Sequence, residues 1–332
     1  MHKDQSILPN KILYWYDKNK RDLPWRIQCS QKRKEYYTLV SEFMLQQTQV
    51  KTVVPYFKNF VKNFPNLRSF SRVNENKLFK NWQGLGYYSR AKNLKKTSEI
   101  IVNKYKNKLP NNLGELKKLP GIGEYTASAL MAIAFNKPII PLDGNVERVL
   151  IRVLNLKTEK EIAKENLMKK RFFFCNTVRA SDYAQAIMEI GALICKSKNP
   201  LCHQCPLITN CLSFKKKDFE IKFKIKKEKN KFFEVKYYEN KNKVLLIKNE
   251  EYTFLKNLLI FPMREISKKN FSKNLKKVTN IKMSNMNMKI KVNYIKSFKK
   301  TDKIQWIDKS KFEKYILPSF TKKIYKSIQD QI

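Results

Sequence analysis

The stretch LPGIGEYTASAL, residues 119 to 130, sets Pro120, Gly121 and Gly123 in front of a run with helical spacing. Two glycines in so short a turn let the backbone bend sharply. A helix that starts after such a turn presents free N–H groups, which favour a phosphate oxygen. The same letters also suit a plain turn between two helices. Tyr125 stands just inside the second helix. Further on, PLDGNVERV (141 to 149) places Asp143 in a short loop before another helix. A carboxylate there is most often an N-cap. Beside a hairpin that clamps DNA, it can also face a sugar.

Working outward, residues 1 to 213 read as one helical domain. YYTLVSEFMLQQTQVKTVVPYFKNFVKNF (36 to 64) carries apolar residues at helical spacing, with breaks expected at Pro55 and Pro65. Further breaks are expected at Gly84 and Gly86, at Pro110, from Pro120 to Gly123 and from Pro138 to Gly144. From Lys215 to Lys236 there are ten lysines and four acids. That density marks a solvated basic linker, taken as 214–230, running into a first strand. Residues 231–332 then alternate like strands, with a hairpin around Asn240 to Asn242, a further strand in NMKIKVNYI and a closing helix in PSFTKKIYKSIQDQI. The expected fold is multi-domain: an all-α domain followed by a smaller α+β domain.

The formal net charge is +42, from 70 Lys and Arg against 28 Asp and Glu. Such an excess suits a polyanionic partner, most simply nucleic acid. A chain rich in Lys, Asn and Ile throughout accounts for part of it, so charge alone does not establish DNA binding. No apolar run approaches the ~20 residues of a membrane span. The first residues lack the apolar core of a secretory leader, which points to a reducing, bacterial cytoplasmic setting. The two histidines, His2 and His203, leave acid–base chemistry to carboxylates, Tyr or Lys.

Cys195, Cys202, Cys205 and Cys211 give the spacing C-x6-C-x2-C-x5-C. Tetrahedral zinc usually takes two C-x2-C pairs, and only one is present. The wider flanking gaps favour the larger cage of an iron–sulfur cluster over zinc, with free thiols a third option. Cys29 and Cys175 stand apart and read as ordinary small apolar residues.

Hairpin, LDGNV loop and cysteine cluster together resemble the helix-hairpin-helix DNA glycosylases of the endonuclease III superfamily. Within it, SEFMLQQTQV (41 to 50) and GLGYYSRAKNL (84 to 94) resemble adenine DNA glycosylases of the MutY type. The resemblance is strong over residues 8 to 213 and weak beyond. It implies one 4Fe-4S cluster on the four cysteines, and a monomer acting on double-stranded DNA that carries A:8-oxoG or A:G mispairs. Glycosylases that also nick DNA carry at the position of Tyr125 a lysine that forms a Schiff base with the sugar. A tyrosine there implies a monofunctional enzyme.

Cleaving an N-glycosidic bond needs a proton for the leaving base and stabilisation of the cationic sugar. Glu42 lies in the apolar helix LVSEFML, where burial would keep it protonated as a general acid. The resemblance assigns it that role toward N7 of adenine, and sets Asp143 against the sugar C1′ with Asn145 beside it. Tyr125 would position the carboxylate. Trp25, Arg26, Leu45 and Glu189 would line the pocket for an adenine flipped out of the duplex. Gln47 and Tyr87 match wedge residues, with Thr48 and Leu85 beside them, and Gly121 and Gly123 would meet phosphate. The segment IQCSQKRKEYY after Arg26 is longer than in many relatives, which puts the position of Arg26 in question.

The resemblance further implies that the second domain is Nudix-like and reads 8-oxoguanine. The Nudix signature G-x5-E-x7-R-E-x2-E-E is absent, which argues against phosphohydrolase activity. Met283-Ser284-Asn285 falls where the family has Phe-Ser-His or Phe-Thr-His, and Ser284 would keep the contact to the lesion. Two rival readings follow from the same residues. One is a bifunctional glycosylase/lyase for oxidised pyrimidines; the other is a DNA-binding module without catalysis.

Overall fold

The structure, a computed structural model, describes residues 7–156, 165, 167, 177–220, 229–272, 278–283, 286–295 and 304–330. Cys175, Ser284 and Asn285 lie outside the described residues. The chain forms two compact units, residues 1–73 with 89–224 and residues 74–88 with 225–332. The short segment 74–88, expected with the helical domain, thus groups with the second unit.

The first unit is helical. Its elements are α1 (Ile7–Asn19), α2 (Gln31–Leu45), α3 (Val50–Asn63), α4 (Leu67–Ser71), the bulk of α6 (Tyr88–Lys104), α7 (Leu113–Lys117), α8 (Glu124–Ala129), α9 (Gly144–Leu154), α10 (Ala180–Leu193) and α11 (Leu212–Lys215). In α2, Tyr36, Leu39, Val40, Phe43 and Met44 form a buried apolar stripe. Thr38, Ser41 and Glu42 of the same helix are also buried. Burying polar side chains in this way costs free energy unless they find partners or do chemistry.

Pro55 does not break α3, contrary to the expectation; it sits inside the helix. Its missing N–H leaves the Lys51 carbonyl without its helical donor. Pro55 and Lys51 are exposed, so water can reach that carbonyl. Val53, Phe57 and Phe60 are buried on the opposite side, and their packing carries the helix through. The other expected breaks fall between helices, the last of them ending where Gly144 opens α9.

The opening stretch is a helix-turn-helix. Asn112 caps α7 through Oδ1, which accepts from the N–H groups of Gly114 and Glu115 at 2.8 and 3.2 Å. The turn ends at Gly123, the N-cap of α8, and α8 runs on into a π-helical turn over Leu130–Ala134. Gly121 has φ +79°, and a Cβ there would lie 2.8 Å from both Asn93 Cβ and Phe43 Cε1. Only glycine allows this turn to seat against α2 and α6.

The second unit holds α5 (Glu75–Trp82), α12 (Lys268–Ser272) and α13 (Ser319–Gln329) around a sheet. Its strands are β1 (Lys229–Asn240), β2 (Lys243–Lys248), β3 (Leu259–Ile260), β4 (Met263–Ile266), β5 (Val278–Met283), β6 (Met286–Ile295) and β7 (Ile304–Asp308). The order is β3-β2-β1-β6-β5, with β4 also on β1 and β7 also on β2. The expected hairpin joins β1 to β2, with Asn240 opposite Lys243. β1 and β6 pair in parallel from Lys229↔Met286 to Tyr238↔Ile295. Phe233, Val235, Tyr237, Met288, Ile290, Phe312, Ile324 and Ile328 fill the core.

Candidate active site

Six segments of the first unit bring the residues singled out in the sequence to a cleft of about 760 Å³. The loop after α1 supplies Trp25 and Arg26, and α2 supplies Glu42 and Leu45. Its following loop adds Gln47 and Thr48. Tyr125 comes from α8, Asp143 and Asn145 from the start of α9, and Glu189 from α10. Of the residues singled out in the sequence, these ten converge. The longer segment after Arg26 does not displace it from the cleft.

Glu42 is 5% exposed. Burial pushes its pKa up to about 7, with the negative charge of Asp143 adding to the rise. A hydrogen bond from Tyr125 and the charge of Arg26 oppose it. Oε2 of Glu42 has no hydrogen-bond partner among the described residues. The Tyr125 hydroxyl is held far above its ordinary pKa, first by burial and then by the two nearby carboxylates, so it stays protonated as a donor.

Asp143 is the N-cap of α9 and also lines the cleft. Oδ1 caps α9, accepting from the N–H groups of Asn145 and Val146 at 2.9 and 2.7 Å. Oδ2 is 3.4 Å from Nδ2 of Asn145. The Asp143 pKa is raised overall: burial outweighs the hydrogen bonds from Val146 and Asn145, which lower it. Asn145 is fixed in turn by Arg148, whose Nη2 donates to its Oδ1 at 2.8 Å. Arg148 also donates to the carbonyls of Gly191 at 2.7 Å and Cys195 at 2.6 Å. At Gly191 an added Cβ would lie 2.8 Å from Asn145 Cβ and 3.0 Å from its carbonyl oxygen. That glycine lets α10 approach the start of α9.

Glu189 is fully buried. Oε2 accepts from Arg21 Nε at 2.7 Å; Oε1 accepts from Arg21 Nη2 at 2.8 Å and Arg26 Nη2 at 2.9 Å. Burial alone would raise its pKa, but the two guanidinium groups outweigh burial and lower it. Arg26 keeps Nε and Nη1 buried without partners among the described residues. The cleft thus holds one neutral-leaning acid, one capped carboxylate and unpaired donors, the inventory for a polar heterocycle carrying acceptors.

Arg21, Arg90, Arg148 and Gly191 escaped the sequence reading. Arg90 Nη1 donates to the carbonyls of Phe43 at 3.1 Å and Met44 at 2.7 Å, and also to that of Gln46. These are orphan acceptors at the C-terminal end of α2, so Arg90 fixes the end of the helix that carries Glu42. The sequence offers no local signal for these pairings, which join residues far apart in the chain.

Gln47 holds a left-handed φ of +57° in the tight turn between α2 and α3. Leu85 and Tyr87 belong to the second unit and do not line this cleft. Leu85 is buried and Tyr87 is 39% exposed with φ +47°. Gly121 and Gly123 are exposed on the hairpin turn.

Cys195, Cys202, Cys205 and Cys211 surround one small apolar cavity with Val149, Ile190 and Phe214. All four are free of disulfides. Among the described residues no three His, Cys, Asp or Glu side chains converge on a single ion position. Four thiols around a shared cavity are the ligand type that a soft metal centre takes. Arg152 supports the loop, with Nη1 3.5 Å from Cys195 Sγ and 2.6 Å from the Lys196 carbonyl.

Residues 40–172 match the family described as HhH-GPD superfamily base excision DNA repair protein. The chain is 37% identical over 305 residues to an adenine DNA glycosylase of Buchnera aphidicola subsp. Schizaphis graminum, covering 88% of this chain and 83% of that protein. An adenine DNA glycosylase of Buchnera aphidicola subsp. Baizongia pistaciae is 39% identical over 257 residues, covering 76% and 72%. A solved thermostable thymine-DNA glycosylase superposes with a TM-score of 0.57 at 24% identity, covering 64% of this chain and 98% of that one. The last likeness concerns the fold alone. Similarity to the first protein over most of both chains means that this chain belongs to the adenine DNA glycosylase family, within the HhH-GPD superfamily of base excision DNA repair proteins.

Proposed function

We propose that the chain is a monofunctional adenine DNA glycosylase of base excision repair, acting on adenine opposite 8-oxoguanine or guanine. The observation that carries this reading is the pairing of Glu42, pKa about 7, with Asp143 across one cleft. The adenine flips from the duplex into the cleft. Glu42 gives its proton to N7, which weakens the bond from N9 to C1′. That bond breaks with its electron pair leaving on adenine. The cationic sugar is stabilised by the Asp143 carboxylate. Water then adds at C1′ and loses its proton, leaving adenine and an abasic sugar. Tyr125 orients Glu42, and Asn145 orients Asp143. Arg26, Glu189, Trp25 and Leu45 hold the base. Gln47 and Thr48 sit at the rim, where they would fill the gap in the stack.

Tyr125 supports the monofunctional reading, since it supplies no amine for a Schiff base. Gly121 and Gly123 would receive phosphate through the exposed hairpin turn. The second unit, by the family's pattern Nudix-like, would read the opposite base through Tyr87, Leu85 and Ser284. The four cysteines would hold a 4Fe-4S cluster, which when bound cross-links the loop 195–211 and supplies no step of the hydrolysis. The chain would act as a monomer.

The test is single-turnover adenine release from duplexes with adenine opposite 8-oxoguanine, guanine or thymine, with strand breaks scored before and after alkali. Release from the first two, with breaks only after alkali, is expected. Breaks without alkali would replace this reading with a glycosylase/lyase. Tight binding without release would leave a non-catalytic DNA-binding module.

A further inference from the structure

A second cavity of about 560 Å³ adjoins the cleft in the same unit. Glu42 and Asp143 line the cleft and do not line this cavity. The two spaces share one wall: Arg21, Trp25, Arg26, Thr38, Ile133 and Gln185. Two helices run along both spaces. Along α2 the cleft takes Leu45, Glu42, Ser41 and Thr38, and the second cavity takes Thr38 and Lys34. Along α10 the cleft takes Ala192, Glu189, Met188 and Gln185, and the second cavity takes Gln185, Asp182 and Ser181. Both helices pass from one space to the other, with Thr38 and Gln185 at the crossing. At 1.5 Å per residue, Glu42 to Lys34 is a path of about 12 Å.

Arg26 stands in this wall and touches both sides. Nη2 holds Glu189, which lines the cleft alone. Its guanidinium also lies 6.0 Å from the ring of Tyr16, which lines the second cavity alone. With Nε and Nη1 unpartnered, a single hydrogen bond anchors its guanidinium among the described residues. The second cavity is lined by the buried Tyr16 and by Trp25, with a lip of exposed Lys20, Asp22, Ile27 and Gln28.

We propose that this cavity is an exit vestibule for the excised purine, which passes Arg26 while the abasic duplex still covers the cleft. The inference rests on the adenine glycosylase reading and adds a route to it. A duplex seated over Gln47, Thr48 and Lys51 closes the cleft on the side where the base entered. A path past Arg26 would separate release of the base from release of the DNA.

The experiment uses the full chain, with a duplex carrying radiolabelled adenine opposite 8-oxoguanine. Alkali-labile sites report excision, adenine passing a filter reports base release, and duplex fluorescence anisotropy reports DNA departure. In the unaltered protein adenine should become free while the abasic duplex is still bound. Gln28→Trp and, from a different element, Lys20→Trp should each leave excision unchanged and slow adenine release by about tenfold, as a blocked product step would. Adenine that leaves only with the DNA, or at the unaltered rate in both variants, overturns the vestibule and leaves the glycosylase reading intact. Absence of alkali-labile sites in the unaltered protein overturns that reading, and the vestibule with it.

Discussion

The hydroxyl of Tyr125 stands beside the buried carboxyl of Glu42 and lowers the pKa that burial raises. The balance sits at about 7. The pair therefore sets the pH at which the site holds its proton.

Glu42→Gln should keep duplex binding and lose about 10²- to 10⁴-fold in single-turnover adenine excision, the usual worth of a positioned proton donor. In the unaltered protein the excision rate should fall as pH rises through about 7, where Glu42 loses its proton. A rate flat from pH 6 to 9 would remove Glu42 as the acid.

The same group should tie stability to pH. Its folded pKa, about 7, lies above the ordinary 4.5. Its contribution to folding is therefore complete below 4.5 and is lost as pH rises through 7. Glu42→Gln has no such loss. Its stability relative to the unaltered protein should rise between pH 5 and pH 8, by up to about 3 kcal/mol at 1.36 kcal/mol per pKa unit. Urea unfolding of both proteins at the two pH values measures this.

Tyr125→Phe removes a donor to the ionised carboxylate. The Glu42 pKa should rise further, and the alkaline fall of the excision rate should move to higher pH. A fall moved to lower pH would mean that the hydroxyl acts on the neutral acid instead.

Gly191→Ala sets a methyl group 2.8 Å from Asn145 Cβ, a contact backbone must yield to relieve. Overpacking of this kind costs about 1–3 kcal/mol. Because Asn145 is bonded to Asp143, excision should slow beyond what the loss of folded protein explains. Thermal unfolding and active-site titration separate the two effects.

Purified protein should absorb near 400 nm and hold about four irons per chain. Cys205→Ser should lose both. A colourless protein with one zinc would fit a single-ion site on the same thiols.

Glu42, Asp143 and the hairpin were legible because they sit in local patterns. Asp143 precedes Gly144, Asn145 and Val146 in the order of a capped helix start, and it caps α9. Glu42 is the one acid in the segment LVSEFML of α2, and it is buried. The hairpin was announced by its own glycines. What supports these groups was not legible. Arg21 reaches Glu189 across 168 residues, and Arg90 reaches Met44 across 46. No local propensity encodes either pairing. Pro55 was misread because a local rule was applied where the buried face of α3 outweighs it. The grouping of 74–88 with the second unit has no compositional mark at all.

The parallel pairing of β1 with β6 bears on how the chain is made. Ribosomal synthesis delivers the first residues first, and units fold as they are completed. Residues 1–224 contain the whole helical unit, so it can close early. Residues 74–88 emerge within it but belong to a unit whose remainder is 225–332. Within that remainder β1 must wait for β6, its partner from Lys229↔Met286 onward. Pairing across such a separation is slow. The nascent enzyme therefore carries an early segment and an open strand edge until translation is nearly finished. A fragment cut at the linker would keep the orphaned segment for good.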